Sequence, residues 1–455
     1  MTVSYNAAVL TPLANPTFGV TLGTVANSNG GGRSLNVSNP SAGTLVISVF
    51  GVTEMQGSGD LVNLNFDVVG LPGSSSAVGF TSFAYNEGTP CSNASGGTHT
   101  VIAGTITGTV SYGNAITGPT PRGVPNVLLS GAGSPNVSTT TASPSGNYSL
   151  SGFGSGAYTI TPSKSGGQNG AISSFDAARV AQHVASIITL SASQQSVADV
   201  SNNGSISSFD AGQIAAYSAS LPGGGLSGTW KFNPTSNSHP NVHANISGEN
   251  YAALLMGEVS GNWGDPPPFR SVNGGPEGTT DVSAPRLVTP AGYEVIVPVS
   301  VQGIAGKGII SYEFDLRYDP TVIQPQANPV DLAGTVSSGL SAVVNAHEAG
   351  LLRVAVYGPM PIENNGVLMN LRFEAVGASG SVSPLTWERM ILNEDTAATA
   401  ASGEVELSAA TPNQAEIAGR LLNSTGQGAP NARITLTDSP GNHRSVVYTR
   451  SVVSM

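Results

Sequence analysis

The chain has 455 residues, which is too long for one hydrophobic core and predicts several domains. Only 9% of the residues are Asp, Glu, Lys or Arg, while 58 glycines and 30 prolines predict many turns between short strands. The hydrophobic content of 39% excludes a disordered chain. The net charge of −11 is spread thinly and no basic stripe is present, so we expect no nucleic acid partner.

The sequence also indicates where the protein works. Its single cysteine, Cys91, excludes a disulfide framework within the chain. No apolar run is long enough to span a membrane, and we expect that a secretion leader has been removed or lies upstream. Low charge and small polar residues are common in bacterial surface proteins, so we expect an extracellular or cell-surface location.

A first internal repeat pairs the N-terminus with residues 317–395. The segment SYNAAVLTP (4–12) matches RYDPTVIQP (317–325), and LVNLNFDVVGLPGSSS (61–76) matches LMNLRFEAVGASGSVS (368–383). Both copies alternate apolar and polar residues over short runs. This period predicts half-buried strands of β-sandwiches.

These units resemble cohesin domains, the β-sandwich modules that bind dockerins in cellulosomes and on bacterial surfaces. The segments EVIVPVSVQG, GIISYEFDLRYDPTVI and LMNLRFEAVG of the second copy carry the resemblance. We therefore predict a cohesin-like sandwich at 280–410. The first copy has only Met1 to Val3 before its SYN segment, so we predict an incomplete cohesin-like sandwich at 1–100 that lacks two strands.

A second repeat relates residues 105–131, which end in RGVPNVLLSG, to residues 415–438, which end in APNARITLTD. The tyrosines Tyr148 and Tyr158 lie in G-x-Y motifs that resemble carboxypeptidase-regulatory or transthyretin-like sandwiches. We predict such a domain at 101–163 and an incomplete copy of it at 411–455.

A third repeat, AISSFDAARVAQHVASI (171–187) and SISSFDAGQIAAYSASL (205–221), has helical spacing of its apolar residues. A further helix is predicted at 249–259. The predicted fold class is therefore mainly β, with multi-domain β-sandwiches and one small α-helical dockerin-like calcium-binding domain at 164–268.

The segment DVSNNGSISSFD (199–210) has the pattern of a calcium-binding loop. Such a loop needs oxygen ligands at positions 1, 3, 5 and 12, a backbone carbonyl at position 7 and glycine at position 6. The segment resembles the loop of type I dockerins, which implies calcium as the cofactor. The predicted ligands are Asp199, Ser201, Asn203, Ser205 and Asp210, with Gly204 at the turn.

Two weaker calcium sites are predicted beside it. In the first helical repeat, Asn169 and Asp176 occupy positions 5 and 12, but Ser165 and Gly167 at positions 1 and 3 mean that two ligands are lost. A half-motif, EVSGNWGD (258–265), places Glu258, Ser260 and Asn262 at ligand spacing. The alternative for the first of these is a loop that keeps its shape without an ion.

The dockerin resemblance implies that loop positions 10 and 11 help to choose the partner. Here they are Ser174-Phe175 and Ser208-Phe209, and the phenylalanine at position 11 departs from the small hydroxyl residue that is usual there. We interpret both phenylalanines as core residues between the two helices.

No catalytic pattern is found, and we predict no enzyme activity. The six histidines lack metal-binding spacing, and no P-loop or G-x-S-x-G elbow occurs. Glu313 and Asp315 are interpreted as scattered strand acids. Trp230, Phe232 and Trp263 suggest sugar stacking as an alternative to pinning their loops.

Three functions fit these features. The first is an extracellular, non-catalytic adhesion or scaffold protein whose dockerin-like module mediates protein–protein assembly or self-association. The second is a filament subunit in which the tail 444–455 completes the incomplete sandwich of the next chain by strand addition. The third is a carbohydrate-binding accessory protein with a polysaccharide as partner.

Overall fold

The computed structural model describes residues 1–14, 16–30, 32–116, 120–154, 156–265, 280–394, 398–409, 433–437 and 443–448. They form two compact units. The first comprises Met1–Ser111, Gly123–Lys164 and Phe232–Ala252, and the second comprises Tyr112–Arg122, Ser165–Lys231 and Ala253–Met455. No helix within the described ranges is long and apolar enough to cross a membrane.

Short strands make up the N-terminal part of the first unit. Its main sheet has the order β4-β5-β1-β8-β9, and β2-β7 and β3-β6 form two further pairs. Buried Val3, Leu45 and Ile47 form the centre of its core. The strands are β1 (Thr2–Ser4), β2 (Leu10–Pro12), β3 (Val20–Leu22), β4 (Ser34–Ser41), β5 (Thr44–Phe50), β6 (Val62–Leu64), β7 (Phe66–Val68), β8 (Ser75–Ser82) and β9 (Gly97–Thr100), with a 3-10 turn at Asn86–Gly88.

Five strands follow in the segment where a transthyretin-like sandwich is predicted. They are β10 (Ile106–Tyr112), β11 (Leu128–Ala132), β12 (Val137–Thr140), β13 (Asn147–Leu150) and β14 (Tyr158–Ser163). Strand β11 pairs with β12 and β14, and β10 pairs with β13. Tyr148 and Tyr158 are both buried, which is the packing role expected of aromatic residues on alternating strand positions.

Three helices come next: α1 (Ser174–Val184), α2 (Ala192–Ala198) and α3 (Ser208–Ser218). Helices α1 and α3 lie within the predicted repeat segments, whereas α2 was not predicted. Four short strands follow: β15 (Trp230–Asn233), β16 (Asn237–His239), β17 (Ile246–Ser247) and β18 (Tyr251–Leu255).

The predicted helix at 249–259 is wrong, because this segment contains strand β18. Tyr251, Ala253 and Leu255 are buried, and the residues between them are only half-buried. That alternation is the period of a strand. A short apolar run does not distinguish a buried helix from a strand by itself, which explains the error.

The described residues 280–409 form a β-sandwich, here called the C-terminal sandwich. One sheet has the order β23-β26-β21-β19-β28 and the other has the order β20-β29-β27-β22-β25-β24. Its strands are β19 (Thr280–Ser283), β20 (Arg286–Pro290), β21 (Glu294–Gln302), β22 (Ile309–Arg317), β23 (Ile323–Asp331), β24 (Ser341–Asn345), β25 (Leu351–Ile362), β26 (Gly366–Ala375), β27 (Val382–Leu392), β28 (Ala398–Ala401) and β29 (Gly403–Ser408).

The core of the C-terminal sandwich lies between its two sheets. Tyr312, Phe314 and Phe373 are completely buried there, together with valines that alternate along β21. The mainly β fold class with a small helical part is therefore confirmed. Of the segment predicted at 411–455, the structure describes only the antiparallel pair β30 (Arg433–Thr437) and β31 (His443–Tyr448). The rest of that prediction lies outside the described residues.

The two copies of the first repeat have the same strand register. Val3 of β1 pairs with Leu45 of β5, and in the second copy Leu316 of β22 pairs with Leu352 of β25. The second copy, however, continues further. Strand β26 pairs with β23 on one edge and β21 on the other, whereas β7 pairs with β2 and, among the described residues, has no strand on its other edge.

Candidate calcium loop and helix-covered sheet

Helix α3 begins with a capping box. The Ser207 hydroxyl accepts a hydrogen bond from the Phe209 N–H at 3.2 Å, and the Asp210 carboxylate accepts one from the Ser207 N–H at 2.9 Å. A capping box satisfies the free N–H groups of the first turn. It also fixes the Asp210 carboxylate at the point where the predicted calcium loop ends.

Asp199 organises the start of that loop. Its Oδ1 accepts the Asn203 N–H at 3.1 Å and the Ser201 hydroxyl at 3.2 Å, and its Oδ2 accepts the Gly204 N–H at 2.9 Å. The Ser201 N–H in turn donates to Asp210 Oδ1 at 3.0 Å and closes the loop. Gly204 has a φ of 85°, which is the left-handed turn that glycine permits at lowest cost.

The oxygen atoms of this loop suit a calcium ion. Burial acts to raise the pKa of Asp199, but the hydrogen bonds from Gly204, Asn203 and Ser201 outweigh it and lower that pKa, so the group is an anion at neutral pH. In the described part of the chain, no three His, Cys, Asp or Glu side chains are grouped so that they could hold a metal. A cation here therefore depends on hydroxyl, amide and carbonyl oxygens as well as carboxylates, a donor set that calcium accepts.

The first helical repeat is arranged differently. Asp176 caps α1 by accepting the Ser173 N–H at 2.8 Å, as Asp210 caps α3. Its other oxygen, Oδ1, accepts the N–H groups of Val259 and Ser260 at 2.7 and 2.8 Å. Asn169 instead donates its side-chain N–H to the Gly264 carbonyl at 2.7 Å. The structure thus brings Asp176 to the segment 258–262, which the sequence had placed in a separate site.

Glu258 is the second buried carboxylate at this place. Its Oε1 accepts the Ser260 hydroxyl at 2.8 Å and the Asn262 N–H at 2.9 Å, and its Oε2 accepts the Tyr112 hydroxyl. Burial raises the pKa of Glu258, and burial together with the Glu258 charge raises the pKa of Asp176. Two carboxylates are therefore held close together where water does not reach them.

Helices α1 and α3 lie on one sheet of the C-terminal sandwich, against β22, β24 and β25. The centre of this contact is Glu313 of β22, of which the side chain is 4% exposed. Its Oε2 accepts the Ser174 N–H of α1 at 2.9 Å and also the Ser218 hydroxyl of α3. Its Oε1 lies 3.1 Å from the Arg389 guanidinium. One carboxylate thus joins both helices to the sheet.

Polar contacts at the ends of the helices complete this interface. The Asn345 side chain of β24 donates to the carbonyls of Ala219 and Ser220 at 2.9 and 3.1 Å, after the end of α3. Gln182 of α1 donates to the Pro359 carbonyl of β25 at 3.3 Å. The Asn345 bonds satisfy carbonyls that the end of α3 leaves free, and the Gln182 bond joins α1 to β25.

Sequence reasoning missed Glu313 and Asn345, which had no motif around them. The available signal was a charged residue between two core aromatics, Tyr312 and Phe314, in the middle of a strand. Its side chain must lie on the outer face of the sheet. A charge on that face is ordinary unless something covers it, and the sequence does not show the covering helices.

The phenylalanines of the two loops differ from the prediction. Phe209 is 62% exposed and Phe175 is half-buried, so Phe209 is not a core residue. Helices α1 and α3 contact each other, and their fully buried residues are Ala177, Ala178 and Val180 in α1 and Ala211, Ile214 and Ala215 in α3.

Sugar stacking, the alternative to loop pinning, is wrong for Trp263, which is completely buried and donates its indole N–H to the Gly167 carbonyl at 2.8 Å. Trp230 is half-buried and donates to the Gly166 carbonyl at 2.9 Å. Both side chains pin the segment 166–167. Cys91 is an exposed free cysteine.

Comparison with known families identifies two domains. A model of the cohesin domain matches residues 280–417, and a model of the dockerin type I domain matches residues 167–217. The chain is therefore a modular protein with a cohesin domain and a type I dockerin domain, as the resemblance of its repeats indicated. No curated protein matches the sequence.

Among solved structures, the sixth cohesin from Acetivibrio cellulolyticus scaffoldin B, in complex with a mutant Cel5 dockerin, is 23% identical and has a TM-score of 0.26; the match covers 29% of this chain and 100% of that one. The seventh ScaB type I cohesin from Pseudobacteroides cellulosolvens is also 23% identical, with a TM-score of 0.25 and coverage of 31% and 99%. A non-cellulosomal cohesin from the archaeon Archaeoglobus fulgidus is 17% identical, with a TM-score of 0.25 and coverage of 29% and 93%.

The substitution Glu313→Ala tests the importance of the shared carboxylate. It leaves the buried Ser174 N–H without its acceptor, which costs about 1–3 kcal/mol. We expect the free energy of opening of α1, measured by hydrogen exchange of the peptide 174–184, to fall by that amount. Asp315→Ala is the control, because this acid lies on the same face of the sheet but makes only weak ion pairs, at 4.0 Å from Arg353 and from Arg389. Equal effects of both substitutions contradict the assignment of Glu313.

Proposed function

We propose that this protein is a non-catalytic, extracellular assembly protein whose dockerin helices occupy the cohesin sheet of the same chain. Cohesin and dockerin domains are non-catalytic modules that mediate protein–protein interaction. Both types are typical of extracellular cellulosome components, which supports an extracellular location here. The observation that carries the proposal is the contact of α1 and α3 with β22, β24 and β25.

Because of this contact, assembly with another chain requires that the internal helices leave the sheet and that the helices of the other chain replace them. While α1 and α3 cover the sheet, the helices of another chain cannot reach Glu313 or Asn345. Opening the contact releases two complementary surfaces at once, the helices and the sheet. A second copy of the same chain presents the same two surfaces, so a reciprocal exchange joins two chains with no new type of contact.

Calcium at Asp199–Asp210 is part of the proposal. The loop ends at the capping box of α3, so an ion held by Asp199 and Asp210 fixes the start of a helix that lies on the sheet. An ion that binds only the folded loop stabilises it by mass action. Calcium then favours a rigid helix pair over a frayed one.

Gly212 provides a test of the covered sheet. A Cβ atom at this position of α3 meets the Tyr357 hydroxyl of β25 at 3.6 Å, an ordinary contact distance. Gly212→Ala therefore fits and favours the helix by about 1 kcal/mol. Gly212→Tyr also favours the helix but fills the space that Tyr357 occupies. We expect the radius of gyration by small-angle X-ray scattering to increase in Gly212→Tyr only. An unchanged radius in both variants refutes the covered sheet.

Asp199→Ala tests the calcium loop. The substitution removes the anion that three loop groups contact, so we expect the chain to bind one calcium ion fewer in isothermal titration calorimetry. Ser208→Ala is the matched control, since this exposed residue lies at loop position 10 and provides no ligand. A variant that binds as many calcium ions as the wild type excludes this loop as a site.

A filament subunit is the second candidate function. In the second copy, β26 pairs with β23 on one edge and with β21 on the other. The corresponding strand of the first copy, β7, pairs with β2, and its other edge has no strand among the described residues. A strand supplied from another chain satisfies such an edge by backbone hydrogen bonds. Val68 at the end of β7 and the following Val69 are exposed, so a strand added at this edge covers apolar side chains.

Light scattering of the full chain with calcium and then with excess EDTA separates the two candidates. Strand addition uses backbone pairs and no ion, so a filament keeps its mass after chelation. An assembly through dockerin helices shrinks when EDTA removes the calcium. A monomer at all concentrations and in both buffers contradicts the filament.

A further inference from the structure

Glu258 and Asp176 repeat, across two segments, the hydrogen bonds that Asp199 and Asp210 make within one loop. Glu258 accepts the hydroxyl two residues later and the N–H four residues later, as Asp199 does. The N–H of Ser260 donates to Asp176, as the N–H of Ser201 donates to Asp210. The segment 258–262 therefore occupies, next to α1, the place that the start of the loop occupies next to α3.

The backbone follows the same course in both places. The fourth residue of each segment has a left-handed conformation, with a φ of 57° at Asn202 and 80° at Gly261. The first repeat itself has lost the residues for this role, since Ser165 and Gly167 stand at positions 1 and 3 of a loop ending at Asp176, where the loop 199–210 has Asp199 and Ser201. Another segment has taken over their position in space.

Two oxygen atoms at this place have no hydrogen-bond partner among the described residues. They are Oδ1 of Asn262 and Oδ1 of Asn114, in side chains of residues that are 4% and 1% exposed. The Asn262 N–H lies 2.9 Å from Glu258 Oε1, and the Asn114 side-chain N–H donates to the Glu258 carbonyl at 2.8 Å. Both residues therefore lie next to Glu258. A buried amide oxygen without a donor is costly unless a bound cation or water molecule satisfies it.

We propose that Glu258, Ser260, Asn262 and Asp176 form a second calcium site, split between two segments that are far apart in sequence. The donor set of two carboxylates, a hydroxyl and an amide oxygen is that of a hard cation, and the number of protein oxygens favours calcium over magnesium, which keeps most of its water. Trp263 stands where a standard loop has its glycine, so the site is not a complete loop of the usual type.

The site has a structural consequence beyond the calcium loop at Asp199. It ties the segment 258–262 to the first turn of α1, and that turn is also held by Glu313 of the sandwich. An ion there fixes the helix end that lies on the sheet. The two calcium sites thus control the two helices separately.

Calcium titration of the full chain, after EDTA treatment and desalting, tests the split site. We expect the wild type to bind two calcium ions and Asn262→Ala to bind one, with affinity at the altered site reduced about 10-fold or more. Asp199→Ala also binds one ion, and the double variant binds none.

The outcomes distinguish this inference from the proposed function. A wild type that binds a single ion, lost in Asp199→Ala, overturns the split site and leaves the calcium loop intact. A single ion lost in Asn262→Ala supports the split site and overturns the loop at Asp199. A wild type that binds no calcium overturns both.

Asn262→Asp separates loss of an ion from loss of folding. It keeps the shape of the side chain and adds a negative charge, so a calcium site becomes tighter by about 10-fold. In EDTA the extra charge lies unpaired beside Glu258 and Asp176 and lowers the Tm. A Tm that falls equally with and without calcium shows that no ion binds there and overturns the proposal.

Discussion

Free backbone N–H groups at the starts of helices and loops need acceptors, and the helical part of this protein uses single buried carboxylates for that purpose. Asp176, Asp210, Glu258 and Glu313 each accept several donors from different segments. A charged acceptor forms shorter and stronger hydrogen bonds than a neutral one. A chain with only 27 acidic residues thus places four of them where loops, helices and a sheet meet.

Charged residues are scarce in the rest of the chain, since only 9% of all residues are Asp, Glu, Lys or Arg. Helices α1 and α3 contact each other and bury several alanines, which lose no side-chain entropy when they are buried. Such a contact has little specificity of its own, because small apolar side chains fit many partners. Specific hydrogen bonds therefore have to fix the orientation of the helices on the sheet, and Glu313, Asn345 and Gln182 provide them.

The sequence alone predicts those features that depend on short stretches of the chain. The repeats and both long helices follow from periodicity and self-similarity, and the cohesin and dockerin types follow from the resemblance of these segments to known families. The helix expected at 249–259 was wrong because the apolar run of β18 is too short to show its period. The union of Asp176 with segment 258–262 was out of reach, since each half is a weak motif alone and only the fold brings them together.

Placement of both partners on one chain changes the competition for the cohesin sheet. A partner tethered on the same chain has an effective concentration of about millimolar, so a free partner of equal affinity displaces it only above that concentration. Assembly between chains therefore requires either a free partner with better contacts or a change that weakens the internal pair. Because α1 and α3 each begin at a carboxylate cluster, the stability of those two helix starts sets the strength of the internal pair. Control over assembly then lies in the loops, and the sheet itself can remain unchanged.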